Sequence, residues 1–246
     1  MSTPSDAVDR RKNTLGRPRE HDRSARIESL LDVATEVFTE RGFKGASLDE
    51  IASRAGASKQ TFYSRYASKS ELFKAVIHRE TEGAHLRFSD ILLSNQPFED
   101  VLQRFGLELI QRIEAERSRR LIRTLTACVD SFPELAKGLW AQISEVGVRS
   151  LAEYVHGQIR KGFLKTLDPD LAAHVFTGLV LGPYYLPAQL GVEPALPLKD
   201  RRTYVKEAVR VFLCAFASAE WSGHSKRDCE GKGRRTSSDK SRVNLN

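Results

Sequence analysis

Cysteine is scarce. Cys128, Cys214 and Cys229 are far apart and odd in number, form no CxxC pair and build no disulfide framework, which fits a reducing compartment. No run of about 18 apolar residues occurs, which argues against a membrane-spanning helix. The opening stretch, MSTPSDAVDRRKNTLGRPRE, has no apolar segment behind its charges and does not read as a secretory signal. A cytoplasmic location is therefore expected. A glycine-rich phosphate loop, an HExxH pair, paired Cys/His ligands and a G-x-S-x-G elbow are all missing, and the six histidines are scattered. No catalytic residue, cofactor or metal site is expected, so an enzyme has little support. No internal repeat and no alternating strand pattern is found, and the expected fold class is all-α.

The net charge is +7 and sits at the ends. Residues 1–80 carry 15 Lys and Arg against 12 Asp and Glu, and residues 81–221 carry 17 of each. Residues 222–246 carry 7 against 3. A basic end suits a polyanion such as DNA, because neutralising phosphates releases counterions. For the C-terminal tail the plainer reading, a solubilising segment, is preferred.

Four regions follow from composition and periodicity. Residues 1–20 form a polar arm without periodicity, expected to be flexible. Its Arg10, Arg11, Lys12, Arg17 and Arg19 are candidates for a minor groove, where the potential is most negative. Residues 21–85 hold short helices separated by turns. Residues 86–221 hold longer helical patterns. Residues 222–246, rich in Ser, Gly and charge, are expected to be disordered.

The first helix is marked by Ile27, Leu30, Leu31, Ala34, Val37 and Phe38, whose spacing puts them on one face. Gly42 suits a left-handed C-terminal position. Ser47-Leu48-Asp49-Glu50 reads as a capping box opening a second helix that ends at Ala55-Gly56. Ser58 starts a third helix, with Phe62 and Tyr66 packing backward. Ser68-Lys69-Ser70-Glu71 is a second capping box, opening a fourth helix with Leu72, Phe73, Val76 and Ile77 buried.

From Ser47 to Tyr66 the pattern is helix, tight glycine-containing turn, helix: a helix-turn-helix. Its second helix must enter the major groove, so its outward residues must be short or able to hydrogen-bond. Lys59, Gln60, Thr61, Tyr63 and Ser64 occupy that outward surface. Gln60 can bond an adenine edge in two places and Thr61 can touch a thymine methyl. Lys59 and the Tyr63 hydroxyl suit phosphate. Ser47 and Lys69 begin helices, whose N-termini attract anions. Each has a plainer reading: Ser47 and Ser58 as caps, Lys69 as a solvated lysine, Tyr63 as a packing residue.

The stretches Gly42-Phe43-Lys44-Gly45-Ala46-Ser47-Leu48-Asp49-Glu50-Ile51-Ala52, Ala55-Gly56-Ala57-Ser58-Lys59-Gln60-Thr61-Phe62-Tyr63-Ser64-Arg65-Tyr66 and Lys69-Ser70-Glu71-Leu72-Phe73 closely resemble the DNA-binding domain of the TetR/AcrR family. The resemblance spans about residues 22–85. It implies that Ser47, Ser58, Lys59, Gln60, Thr61, Tyr63, Ser64 and Lys69 lie at the DNA surface, with Tyr63 and Lys69 on phosphates. Tyr66 departs from the family, which more often has phenylalanine there. The resemblance also implies a ligand-responsive regulator, a repressor by family habit, working as a homodimer on a palindromic operator in the cytoplasm and on the nucleoid when bound. A helical interaction module that has lost DNA binding is a third reading, disfavoured by the intact surface of Lys59, Gln60, Thr61, Tyr63 and Lys69.

Beyond residue 86, Pro97-Phe98-Glu99-Asp100 opens a helix with Val101, Phe105, Leu109 and Ile113 apolar. Leu121, Ile122, Leu125 and Val129 mark the next. A long helix after Pro133 is expected to bury Leu139, Trp140, Ile143, Val146, Leu151, Val155 and Ile159 and to stop at Gly162. Asp168-Pro169 is an N-cap with proline at the first position, followed by Leu171, Val175, Leu179 and Leu181. Gly182-Pro183 is expected to kink or interrupt that helix. The last helix is expected over Lys199–Ser218, with Tyr204, Val205, Ala208, Val211, Phe212 and Phe216 apolar. By the resemblance, Thr177–Leu190 and Tyr204–Phe216 are the dimer helices. Small residues (Ala172, Ala173, Gly178, Ala208 and Ala215) would let helices approach closely, or would simply pack within one subunit. The segment around Ser131-Phe132-Pro133-Glu134 and Gly162 before Asp168-Pro169 resemble the AefR-like subgroup more weakly. Phe105, Trp140, Tyr184 and Tyr185 are candidates to line an effector pocket, with core or interface the alternative.

Overall fold

A computed structural model describes residues 20–193 and 200–219, without the side chains of residues 20–24, Lys59, Thr61, Ser144 and Glu145. The arginine-bearing arm and the basic tail lie outside the described residues. Those described form an all-α protein: α1 (Glu20–Gly45), α2 (Leu48–Arg54), α3 (Lys59–Arg65), α4 (Lys69–Leu92), α5 (Phe98–Glu114), α6 (Glu116–Thr126), α7 (Pro133–Arg160), α8 (Pro169–Leu190) and α9 (Arg201–Phe216). Among them the only extended pairing is an isolated antiparallel bridge between Leu164 and Ala217.

Two apolar cores organise the helices. The first gathers the α1 stripe with Ile51, Phe62, Tyr66, Leu72, Phe73, Val76 and Ile77, and draws in Leu121, Leu125 and Cys128 at α6 and Leu135 and Leu139 from α7. The second gathers the far half of α4 with α5, α8, α9 and the later part of α7. Thus α4 belongs to both cores. At about 1.5 Å per residue, its 24 residues form a rod about 36 Å long. Its N-cap works as expected: Ser68 Oγ accepts from Glu71 N–H at 3.2 Å. The Glu71 carboxylate reaches back one residue earlier than the ideal box, to Ala67 N–H at 3.1 Å.

Several expectations are corrected. The Ser47–Glu50 capping box does not form: Ser47 is the N-cap of α2 but makes no side-chain cap bond, and Glu50 pairs instead with Arg54 at 3.6 Å. Gly42 has positive φ but an extended ψ (68°, 172°), so it kinks α1 rather than ending it in the left-handed helical region. Val129 lies past the end of α6 and is exposed, and Cys128 takes the buried place. Trp140 is 54% exposed because Leu139 holds the core position beside it. On α8 the buried face is Ala172, Ala173, Phe176, Val180, Tyr184 and Ala188, one residue later than the Leu171 and Val175 expected, which are exposed. Val211 on α9 is likewise exposed.

Gly182-Pro183 does not interrupt α8, which runs unbroken with Pro183 and Pro187 inside it. Proline at 183 has no N–H to offer the Leu179 carbonyl one turn back. The Tyr204 hydroxyl of α9 donates to that carbonyl instead, and burial raises the Tyr204 pKa, favouring the protonated donor. Asp168 caps the start of α8, its carboxylate accepting from Asp170 N–H at 2.9 Å. Gly191, at φ 72°, ends it in the left-handed conformation.

Tyr204→Phe keeps the ring and removes the hydroxyl that donates at the Pro183 break. It is expected to lower unfolding free energy by about 1–3 kcal/mol, read as a lower urea midpoint at unchanged slope. An unchanged midpoint would mean that water already serves the Leu179 carbonyl.

Candidate nucleic-acid interface

The turn between α2 and α3 follows from Gly56. Its φ is 62°, a conformation that side chains disfavour. Gly56 N–H donates to Ser53 C=O at 3.2 Å and Ala57 N–H to Ala52 C=O at 3.0 Å. This is the Schellman pair, which consumes the last carbonyls of α2 and turns the chain within four residues. α3 then resumes, with Phe62 N–H on Ser58 C=O at 2.9 Å. Phe62 and Tyr66 are buried, and the Arg65 guanidinium lies over the Tyr66 ring at 5.9 Å. Anchoring these two aromatics leaves Gln60, Tyr63 and Ser64 exposed on the opposite side of α3. Ser47 and Ser58 are exposed at the starts of α2 and α3. The side chains of Lys59 and Thr61 lie outside the described residues, although their backbones are part of α3.

Two of the expected phosphate ligands are already engaged inside the protein. The Tyr63 hydroxyl donates to Asp49 Oδ1 at 3.1 Å, tying α3 to α2. Lys69, the first residue of α4, donates from Nζ to the carbonyls of Lys44 and Ala46, both at 3.0 Å. Its ammonium also sits 5.0 Å from the Phe43 ring centre, a cation–π contact. It is therefore not a loosely solvated lysine. It closes the carbonyl end of α1 beyond the Gly42 kink and pins the start of α4 there.

Away from this surface, the junction of α1, α4 and α6 carries a charge network. Arg117 of α6 contacts Glu80 at 2.7 Å and Asp32 at 3.1 Å. Arg79 of α4 contacts Asp32 at 3.1 Å and Glu28 at 3.4 Å. Both guanidiniums also donate to Thr35 Oγ1 at 3.2 Å. α6 is fixed at its other end by Thr124, whose hydroxyl donates to Phe38 C=O at 3.2 Å, and by Arg123, whose Nε donates to Gln189 C=O at 2.7 Å.

Beside that network lies a cavity of about 350 Å³ between α4, α5, α6, α7 and α8. Its walls are mostly apolar, Phe88, Leu109, Leu121 and Ile143 among them, and its polar groups are Glu80 and Arg112 with Thr81, Ser118, His174, Thr177 and Gln189. Of the four aromatic candidates, Trp140 and Tyr185 line it. Phe105 and Tyr184 are fully buried in the second core. Sequence reasoning missed Arg112, Thr177 and the network. The signal that was present is a charged residue, Arg112, inside the apolar periodicity of α5.

Comparisons with known proteins agree with this geometry. Residues 30–76 match the profile of bacterial regulatory proteins of the tetR family, and residues 100–218 match that of the AefR-like transcriptional repressor C-terminal domain. The HTH-type transcriptional activator FasR of Mycolicibacterium smegmatis is 41% identical over 87 residues, which are 33% of this chain and 40% of FasR. A TetR-family transcriptional regulator from Mesorhizobium loti superimposes with a TM-score of 0.71 at 25% identity, covering 79% of this chain and 98% of its own. The flavonoid-responsive regulator FrrA superimposes with a TM-score of 0.65 at 25% identity, covering 79% and 98%.

Lys69→Met retains the aliphatic stem and removes the ammonium from two carbonyls. It is expected to destabilise the protein by about 1–2 kcal/mol without any DNA present, read by urea unfolding. No loss would show that the Lys44 and Ala46 carbonyls are equally well served by water.

Proposed function

This chain belongs to the TetR family of transcriptional regulators, and on that premise we propose that it is a ligand-responsive repressor that binds a palindromic operator as a homodimer. One observation carries the DNA reading: the Gly56 turn and the buried Phe62 and Tyr66 present the opposite face of α3 as an exposed polar surface. On this reading Ser47, Ser58, Lys59, Gln60, Thr61, Tyr63, Ser64 and Lys69 form the DNA contact set. Gln60 and Thr61 read base edges, and Tyr63 and Lys69 hold phosphates. Residues 21–85 serve as the DNA-binding part and residues 86–221 as the effector and dimer part, with the regulator working in the cytoplasm. Among the described residues no helix is long and apolar enough to cross a membrane.

The homodimer reading is supported by the face of α8 that the monomer leaves uncovered. Leu171, Val175, Gly178, Gly182 and Leu186 fall on one side of that helix and are exposed. Large apolar groups there would be covered by the same face of a second copy, and the glycines allow close approach. On α9, Val211 and Ala215 are exposed as well. Repression is supported by the AefR-like repressor profile over residues 100–218. The match to the activator FasR covers only 33% of this chain. Ligand response is supported by the cavity, whose volume is that of a small-molecule site, and by the name of FrrA.

Selection of DNA from random fragments by the purified protein tests the reading. A palindrome with half-sites about one helical turn apart, or a multiple of it, is expected. Gln60→Ala should relax preference at one base position, whereas Tyr63→Ala should weaken all sequences alike. Lys69→Ala should lower the slope of log affinity against log salt by about one. No enriched sequence would overturn the proposal.

Glu80 is shared between the cavity wall and the network on α1, which gives the proposed response a route. Arg117→Leu is expected to leave effector-free operator affinity within about threefold and to cut the effector-induced change in it by about fivefold or more, the lower end of typical coupling. An undiminished response in fluorescence anisotropy would remove Arg117 from the route.

A further inference from the structure

The cavity read as the effector site is lined by a cation, Arg112, that makes no direct ion pair among the described residues. Arg112 is half-buried. Its guanidinium donates to the backbone carbonyl of Glu80 at 3.0 Å. The two acids that face Arg112 act on it only through space: Glu80 pairs with Arg117 at 2.7 Å, and Glu108 has a 3.6 Å contact with Arg87 and no hydrogen bond to its buried Oε1. Burial pulls the Arg112 pKa below its ordinary value, yet arginine keeps its charge in such places. A desolvated guanidinium with several donors and one neutral acceptor is costly unless an anion completes it.

A second polar group supports this. Thr177 lines the same cavity from α8, and its Oγ1 is buried with no hydrogen-bond partner. A hydroxyl inside a helix ordinarily back-bonds to the preceding turn, so an unsatisfied one in a cavity wall has an acceptor or donor still to find. Most of the remaining wall is apolar. A neutral apolar guest would leave the Thr177 hydroxyl and the remaining Arg112 donors unsatisfied, and a cationic guest would meet Arg112 unfavourably, the lining carboxylate of Glu80 being held by Arg117.

We infer that the effector is an amphipathic monoanion, an apolar carboxylic acid whose carboxylate is held by Arg112 and whose hydrocarbon body fills the rest of the cavity. Carboxylates match the planar donor fork of arginine in two-point contact. This inference rests on reading the cavity as the effector site. The acid could be aliphatic or aromatic, since either body suits the apolar walls.

The test is isothermal titration calorimetry on the full chain with four probes: decanoate, 2-naphthoate, decan-1-ol and decyltrimethylammonium. At least one acid is expected to bind about tenfold or more tightly than the alcohol, and which acid leads distinguishes the aliphatic source from the aromatic one. Arg112→Gln should weaken the acid by about 10- to 100-fold, as for loss of hydrogen bonds to a charged group, and leave the alcohol unchanged. Arg112→Lys, which keeps the charge should the glutamine variant fail to fold, is expected to bind the acid less tightly but still above the alcohol. Thr177→Val is expected to cost the acid a smaller factor. Equal binding of acid and alcohol, tighter binding of the cation, or an acid preference untouched by Arg112→Gln would overturn the inference and leave the cavity as the effector site. Binding of none of the four would overturn both.

Discussion

The arrangement turns on α4 being a single helix shared by two cores. Leu72, Phe73, Val76 and Ile77 bury its first half in the core it shares with α1, α2 and α3, and Phe88, Ile91 and Leu92 bury its second half in the core it shares with α5 and α7. A close-packed interior resists continuous deformation, so the two halves cannot shift independently without bending the helix between them. Lys69 fixes the start of this rod to the carbonyl end of α1. Whatever displaces the far half of α4 is therefore delivered to the base of the helix-turn-helix. The cavity lies along the middle of α4, where Ile77, Glu80, Thr81, Ala84 and Phe88 form part of its wall.

The charges at that midpoint have a matching scale. Pairs such as Arg117–Asp32 and Arg79–Glu28 involve carboxylates that are more than half exposed, and pairs of this kind contribute about 0–1 kcal/mol each. They are poor sources of global stability. They are well suited to bias two arrangements of α1 against α4 and α6, because allosteric coupling free energies are commonly about 1–3 kcal/mol. A few such contacts made in one arrangement and lost in the other supply that amount. Thr35 strengthens the directional side of the network, since its hydroxyl receives both guanidiniums while donating to Leu31 C=O at 2.7 Å.

Much of this was legible in the sequence where one physical cause acts alone. The α1 stripe, the Gly56 turn, the Ser68 cap and the Asp168-Pro169 helix start are local, and each is realised. What was not legible involves competition or a distant partner. Ser47 and Ser68 begin equally good capping boxes, but Glu50 is taken by Arg54 and the first box stays open. Pro183 reads as a helix breaker until Tyr204, 21 positions later, replaces the missing donor. The face of α8 was placed one residue early because both of its sides are apolar, and periodicity cannot separate a face buried within one subunit from an uncovered one. The spacing of Leu121, Ile122 and Leu125 marks α6 as a helix but does not say which core it joins. That Leu121 and Leu125 serve the first core is a fact of tertiary packing alone.

The proposed DNA contacts show the same interplay. On the proposed reading Tyr63 and Lys69 bind phosphate, yet each already holds a protein partner. A lysine ammonium has three donors, and two go to the Lys44 and Ala46 carbonyls, so a phosphate can take the third without breaking either bond. Tyrosine has a single O–H, given to Asp49, so a phosphate must compete for it. The competition also brings the phosphate toward the Asp49 carboxylate, an unfavourable approach of like charges. Lys69 thus enters the complex pre-positioned, and Tyr63 pays for its contact by releasing Asp49. On that reading the lysine contact costs no internal bond, while the tyrosine contact costs the bond to Asp49, so the lysine is the less costly of the two to set against the duplex.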